Sequence, residues 1–428
     1  MTGLLILILF IAVIIIGVPI GSAIGFTTMI SFLLLGGNIE VIPQKLFSGV
    51  NNFTFLCIPF FVLAAEIMAD GGITRNILNF CNNLIGHIRG GLAHVNILAS
   101  CFFAGITGSA TADAVGLGTL EIKMMDEGGY PHDFSAGITA ASAIIGPIIP
   151  PSNAMIIYAT IAGNVSVVSL FLGGVLPGLL IGLSLMILCY FISKKNNYPV
   201  NPKRASIKMI VRSFIDTFPA LMMPVIILGG ILSGLFTATE SAAIAVLYAI
   251  LVNKFILKTF SWRKLYENIL STAKMTSVVF FIIAVASAMG WAITVLRVPQ
   301  SLAAFFVQYA SNKYAFLIFA NILLLIVGML LDQAPALLIM VPILLPVAAS
   351  FSIHPIHFAM IVTINLCIGL ISPPIGMTLF VTSSVAKISL MRMYRAILPF
   401  LFVEIVVLFI ITFVPQISLF IPSLFGFV

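Results

Sequence analysis

Two proline pairs interrupt otherwise apolar stretches of this chain, at Gly146-Pro147-Ile148-Ile149-Pro150-Pro151-Ser152 and at Gly369-Leu370-Ile371-Ser372-Pro373-Pro374-Ile375-Gly376. Proline has no backbone N–H and its ring clashes with the preceding turn, so each pair ends a helix and leaves carbonyls and amides unpaired. In lipid no water satisfies such groups, and irregular backbone survives only against protein or a wet cavity. The chain therefore cannot be a bundle of uninterrupted spanning helices: it must bury two breaks, whose backbone dipoles can hold an ion. These are its only Pro-Pro pairs, and they lie 223 residues apart in a chain of 428. That spacing is about half the sequence, which implies a duplicated unit with one broken helix per copy, the arrangement of many secondary transporters.

Composition places those breaks at membrane depth. The chain is 61% hydrophobic and 8% charged, whereas a soluble domain carries roughly 45–50% apolar and about 25% charged residues. It reads as an all-α polytopic membrane protein with room for about ten crossings of ~20 residues, plus shorter elements that do not cross. The net charge of +7 is not a nucleic-acid signal, because the Lys and Arg residues gather in a few inter-helix loops, where they set orientation. Residues 1–35 have no charged leader region or small-residue cleavage site and read as retained membrane helix. Five cysteines, odd in number and without CxxC spacing, support neither a disulfide framework nor a zinc site.

The one conspicuous polar linker, residues 193–212, carries Lys194, Lys195, Lys203, Arg204, Lys208 and Arg212 and no acid. It is expected to be cytoplasmic and to divide a first repeat, 1–192, from a second, 213–428. The register holds beyond the prolines. Gly105 and Gly328 each precede their Pro-Pro pair by 45 residues, and Ser109 and Asp332 each follow their Gly by four. Lys387, Arg392 and Arg395 flank the end of the second broken segment, while the matching residues 163–169 carry no charge. The positive-inside rule then places the two copies in opposite orientations, as inverted repeats. Around Gly105 and Gly328 an apolar run turns small and polar and then apolar again, the plan of a re-entrant hairpin whose tip stops near the midplane. The expected elements are a hairpin over about 94–125, a broken helix over about 134–163, a second hairpin over about 315–350 and a second broken helix over about 356–386. Residues 121–133 read as a charged loop, and residues 262–274 as a helix lying in the interface.

Each half thus supplies a hairpin tip and a helix break, and all four are expected to meet at the bilayer centre. One cation site is expected at Gly105, Thr107, Ser109, Gly146, Pro150 and Ser152, and a second at Gly328, Asp332, Gly369, Ser372 and Gly376. Sodium is a hard ion that favours oxygen, and the tips offer hydroxyls and backbone carbonyls. The same small hydroxyl residues also let helices approach closely. Asp332 is the sharpest single residue, because a mid-membrane carboxylate costs ~2.5–3.5 kcal/mol on insertion scales and calls for a partner or a function; the alternative is a cap for free amides at the hairpin tip. Thr111, Asn153, Arg297 and Asp332 are the substrate candidates, although Arg297 reads first as an interfacial anchor beside Pro299. Asp113 lies either deep in the hairpin or in the hydrated loop. Glu66 sits near a helix end, and Glu404 is either a subunit contact or an internal hydrogen-bonding partner. His87, His94, His132, His354 and His357 have no metal-site spacing.

Four segments in combination carry a resemblance that covers essentially the whole chain: Gly105-Ile-Thr-Gly-Ser109-Ala-Thr-Ala112, Pro150-Pro-Ser152-Asn-Ala-Met-Ile-Ile-Tyr158, Phe236-Thr-Ala-Thr-Glu240-Ser-Ala-Ala243 and Ser372-Pro-Pro-Ile-Gly376. The chain resembles the large membrane (M) subunit of tripartite ATP-independent periplasmic (TRAP) transporters. Where many members have Thr-Pro-Thr-Glu, it has Thr237-Ala238-Thr239-Glu240. The resemblance implies an elevator architecture of the ion-transporter type and sodium-coupled import of an organic acid across a bacterial inner membrane, with sialic acid ahead of C4-dicarboxylates. It also implies a small four-helix membrane subunit, expected as a separate chain because no fused segment precedes Met1, and a periplasmic substrate-binding protein. Both termini are expected to be periplasmic. Two inverted tips offer two ion sites, so at least two sodium ions are expected per anion. The competing readings are a one-component sodium/dicarboxylate carrier and, of a different class, an intramembrane aspartyl protease built on Asp113 and Asp332. The protease needs a close carboxyl pair, yet the repeat aligns Asp332 with Ser109.

Overall fold

The structure, a computed structural model, describes residues 9, 12–13, 16–34, 39–200, 204–297, 300–301 and 312–428. Much of the expected N-terminal helix, Lys203 of the linker and Pro299 beyond Arg297 lie outside the described residues. Nineteen α-helices and no strand occur among those described. Eight helical segments are long and apolar enough to cross a membrane, and the protein is a multi-pass membrane protein. Among the described residues, several further apolar helices of 10–17 residues are too short to cross.

The first half opens with α1 (Ile20–Leu34), α2 (Val41–Val50), α3 (Cys57–Asp70) and the amphipathic α4 (Ile73–Ile85). The first hairpin descends as α5 (Gly91–Thr107), turns at Gly108-Ser109, and returns as α6 (Ala110–Gly116) and α7 (Gly118–Glu127). Gly108 stops α5 in the left-handed conformation, φ +61, which glycine adopts without steric penalty. Ser109 then starts α6 by accepting the Ala112 amide, so stop and start signals stand side by side. The first broken helix follows as α8 (His132–Ala143) and α9 (Asn153–Ala162), separated by residues 144–152. A 29-residue helix, α10 (Val167–Lys195), closes the half with Lys194 and Lys195 in its last turn.

The second half repeats the order. It begins with α11 (Ile207–Leu232), α12 (Ala238–Leu251) and α13 (Trp262–Val295). At the Thr237-to-Glu240 segment the missing proline is immaterial to the helix start. Thr237 and Glu240 form a reciprocal capping box, which satisfies two otherwise free amides. The second hairpin is α14 (Lys313–Leu330) and α15 (Gln333–Ser350), and the second broken helix is α16 (Pro355–Gly369) and α17 (Met377–Ala386), with residues 370–376 between. The chain ends with α18 (Leu390–Phe413) and α19 (Gln416–Leu424).

Two expectations are corrected. Residues 262–274 are not a separate interfacial helix: they are the first turns of the unbroken 34-residue α13, whose length of about 51 Å at 1.5 Å per residue exceeds a hydrocarbon core of ~30 Å. Their mixed polarity reflects that overhang. Residues 121–133 are not one charged loop either, because α7 continues to Glu127 and buries Glu121.

Packing follows the duplication. In each half the first hairpin arm lies on the first part of the broken helix, α5 on α8 and α14 on α16. The second parts cross over between halves, α6 against α17 and α15 against α9. Around this interlocked unit, α13 packs on α1, α2 and α3, and α3 packs on α12. Helix α13 also touches α15, bringing the outer group against the second hairpin.

Candidate functional site

At the first tip the backbone of the break and the hairpin are in van der Waals contact. A Cβ placed on Gly108 would stand 2.5 Å from the Pro151 carbonyl oxygen, and one on Gly105 would stand 3.7 Å from that of Pro150. Ser152 holds the break in shape: its hydroxyl donates to the Pro147 carbonyl at 2.5 Å and accepts the Met155 amide. Gly146 faces a carboxylate. A Cβ there would lie 2.4 Å from Asp113 Oδ2. Asp113, in the first turn of α6, is buried; Thr107 donates a hydrogen bond to its Oδ1, while Oδ2 has no hydrogen-bond partner.

The structure thus gathers Gly105, Thr107, Ser109, Gly146, Pro150 and Ser152 at one junction and adds Asp113, which the site assignment from sequence omitted. A buried carboxylate oxygen without a partner is costly. The donor set is all oxygen, with one negative charge, which suits a hard monovalent cation. The sequence signal was present, an acid four residues beyond Ser109 inside an apolar hairpin. It was obscured because Asp113 lies only eight residues before the charged stretch that begins at Glu121, so a hydrated position reads as well as a buried one.

At the second tip the contact is backbone on backbone. A Cβ on Gly369 would stand 2.5 Å from the Gly328 carbonyl carbon, so only paired glycines permit the approach. Gly376, at φ +54, donates its amide to the Met329 carbonyl at 3.2 Å, and the Thr378 amide reaches the Leu370 carbonyl at 3.0 Å. Ser372 donates to the Ile368 carbonyl. The Thr378 hydroxyl is buried there without a partner. Gly328, Gly369, Ser372 and Gly376 thereby surround the second break. Asp332 is the N-cap residue of α15, as Ser109 is of α6, but its side chain makes no capping bond.

Both tips open on one cavity of about 170 Å³. Ser109, Thr111 and Asn153 line it from the first half and Asp332, Gln333 and Leu370 from the second, while Glu66 of α3 and Met275 and Thr276 of α13 complete the wall. Gln333 is steadied by its amide, which donates to Cys367 Sγ at 2.9 Å. No Lys, Arg or His occurs among the described residues lining the cavity. Arg297 is not brought in: it is exposed just beyond α13, at φ +52. Glu404 is buried on α18 with neither carboxylate oxygen hydrogen-bonded. Among the described residues no group of three His, Cys, Asp or Glu side chains is placed to hold a metal ion.

Helices that break in pairs, tips that meet at one cavity with acidic and hydroxyl groups in a largely apolar wall, and eight apolar spans define the permease of a membrane transporter. The chain belongs to the family described as tripartite ATP-independent periplasmic transporter, DctM component, whose model matches residues 7–417. It is 42% identical over 411 residues to the sialic acid TRAP transporter large permease protein SiaM of Vibrio cholerae, covering 96% of each chain. It is 38% identical to the C4-dicarboxylate TRAP transporter large permease protein DctM of Pseudomonas aeruginosa, covering 94% of each. Among solved structures, the Alcanivorax borkumensis YdaH transporter shares the fold, with a TM-score of 0.61 at 13% identity over 91% of this chain and 89% of that one. These relatives are transporter permeases, not enzymes, and Asp113 and Asp332 occupy separate surroundings, so the protease reading falls.

Proposed function

We propose that this chain is the permease of a sodium-coupled secondary importer of an organic acid anion, with sialic acid favoured and C4-dicarboxylate next. The observation that carries the reading is the cavity at the two tips, which has carboxylates and no basic side chain in its lining. An organic anion placed there meets no fixed positive charge, so bound cations and backbone dipoles must supply it. The first cation is assigned to Thr107, Asp113 and the Gly146 backbone, with Ser109, Pro150 and Ser152 shaping the junction. The second is assigned to Asp332 and the backbone around Gly328, Gly369, Ser372 and Gly376. The substrate lies between them, against Thr111, Asn153 and Asp332. Sialic acid is favoured over dicarboxylates by the higher identity to the Vibrio cholerae relative.

In this reading the interlocked hairpins and broken helices move as one body past α3 and α13, in an elevator. The chain resides in a bacterial inner membrane with linker 193–212 in the cytoplasm and the termini outside. It works with a small four-helix membrane subunit and a periplasmic binding protein that delivers the acid. The test is uptake of labelled sialic acid into proteoliposomes holding the permease, its small subunit and the binding protein. Uptake is expected only with an inward sodium gradient; equal uptake when choline replaces sodium overturns the reading, and uptake without the binding protein favours a one-component carrier.

A further inference from the structure

Glu66 has no role in the cation sites, yet it lines the cavity from α3, outside the hairpins and broken helices. Two hydroxyls of α13, one turn before Met275 and Thr276 of the cavity wall, fix its carboxylate: Ser271 donates to Oε1 at 2.8 Å and Thr272 to Oε2 at 3.2 Å. Each carboxylate oxygen carries two acceptor sites, so both oxygens keep one free. Asp332 faces the same cavity, and the wall therefore presents two acid groups to whatever enters. Bound cations placed at the tips neutralise the anion's own carboxylate, but Glu66 is held by neutral hydroxyls in another helix.

We propose that Glu66 is a specificity-determining residue, whose carboxylate accepts hydrogen bonds from the hydroxyl or amide N–H groups of a polyhydroxylated monoanion and repels the second carboxylate of a dicarboxylate. This rests on the reading of the cavity as the substrate site and deepens it. A polyol acid brings donors to match a fixed acceptor, whereas a second carboxylate brings none and adds like charge. The choice between the two substrate classes then lies in one side chain of the permease wall as well as in the delivering protein.

The experiment measures binding of radiolabelled sialic acid to the full chain with its small subunit in nanodiscs, in sodium buffer without binding protein, and its displacement by unlabelled sialic acid or succinate. Native protein is expected to bind succinate far more weakly. Glu66→Gln is expected to narrow the ratio of the two affinities by about tenfold, equivalent to about 1.4 kcal/mol, through weaker sialic acid and stronger succinate binding. An unchanged ratio with sodium-dependent binding intact overturns the role of Glu66 alone; absence of sodium-dependent binding of either acid by the native protein overturns the site reading itself. Should Glu66→Gln fail to fold, the double variant Ser271→Ala, Thr272→Val keeps the charge but not its aim. Weaker sialic acid binding with succinate still excluded supports the proposal, and gain of succinate binding contradicts it.

Discussion

At the residue scale each proposed cation site takes one carboxylate, and the two come from different positions. Asp332 stands at the N-cap of α15, where its counterpart Ser109 caps α6, while Asp113 sits one turn inside α6 and its counterpart in the register, Ala336, is a buried apolar residue. In the proposed reading the two cation sites are therefore related but not equivalent. Asp113→Asn is expected to raise the sodium concentration for half-maximal uptake by about tenfold or more, the effect of losing a charged partner, with little change in the sialic acid requirement once sodium saturates. Gly146→Ala should do the same without touching a charge, because its Cβ would collide with Asp113 Oδ2; sodium titration of uptake checks both. Asp332 was legible in the sequence because an acid amid leucines has few explanations. Asp113 was not, since whether it is buried depends on how far the second arm extends, which local sequence does not state. The placement of Arg297 outside the cavity was equally hidden, being set by where α13 ends relative to the tips.

At the element scale the hairpins and breaks could be read from Gly, Ser and Pro at the places where the chain must stop or restart a helix. Gly108-Ser109 and Gly376 act through local backbone conformation, and local sequence reports that well. Helix α13 was misjudged because a polar overhang and an interfacial helix share one composition; only the neighbours decide. Gly369→Ala is expected to destabilise the protein by about 1–3 kcal/mol through overpacking, because backbone atoms of Gly328 cannot yield, and a lower thermal midpoint in detergent would show it. A second test concerns the clasp between the two broken helices. His132, at the start of α8, bonds the Ala386 carbonyl at the end of α17 at 2.7 Å and Asp126 at 2.6 Å, and Arg392 pairs with Asp133 beside it. The Ala386 carbonyl raises the imidazole pKa most; burial, next in size, opposes it, and the Asp126 and Asp133 carboxylates add to the rise. A raised folded-state pKa adds stability that is complete below the ordinary imidazole value of about 6.5 and is lost as pH rises through the folded value. The thermal midpoint of native protein should therefore exceed that of His132→Gln by more at about pH 6 than at about pH 8; a gap independent of pH contradicts the charged clasp.

At the scale of the whole molecule, one duplication visible at the Pro-Pro pairs accounts for the order of elements, the exchange of α6 and α15 between halves, and the meeting of both tips at one cavity. What the register could not convey is the sign of that cavity, which emerges only when α3 and α13 close the wall and no basic residue joins them. That absence is the centre of the proposed mechanism: with no arginine or lysine in the described lining, bound cations would hold the anion. One elementary charge crossing 100 mV is worth ~2.3 kcal/mol, so a monoanion entering with one sodium gains nothing from the potential, while two sodium ions carry a net positive charge inward. The direct measurement is current on solid-supported membranes bearing the assembled transporter, with sialic acid added by way of its binding protein in sodium buffer. Inward positive current is the expected result, reduced in Asp113→Asn and Asp332→Asn at the sodium concentration that half-saturates the native protein. Electroneutral uptake of the monoanion, or current that neither substitution changes at that sodium concentration, would contradict two cation sites at the tips.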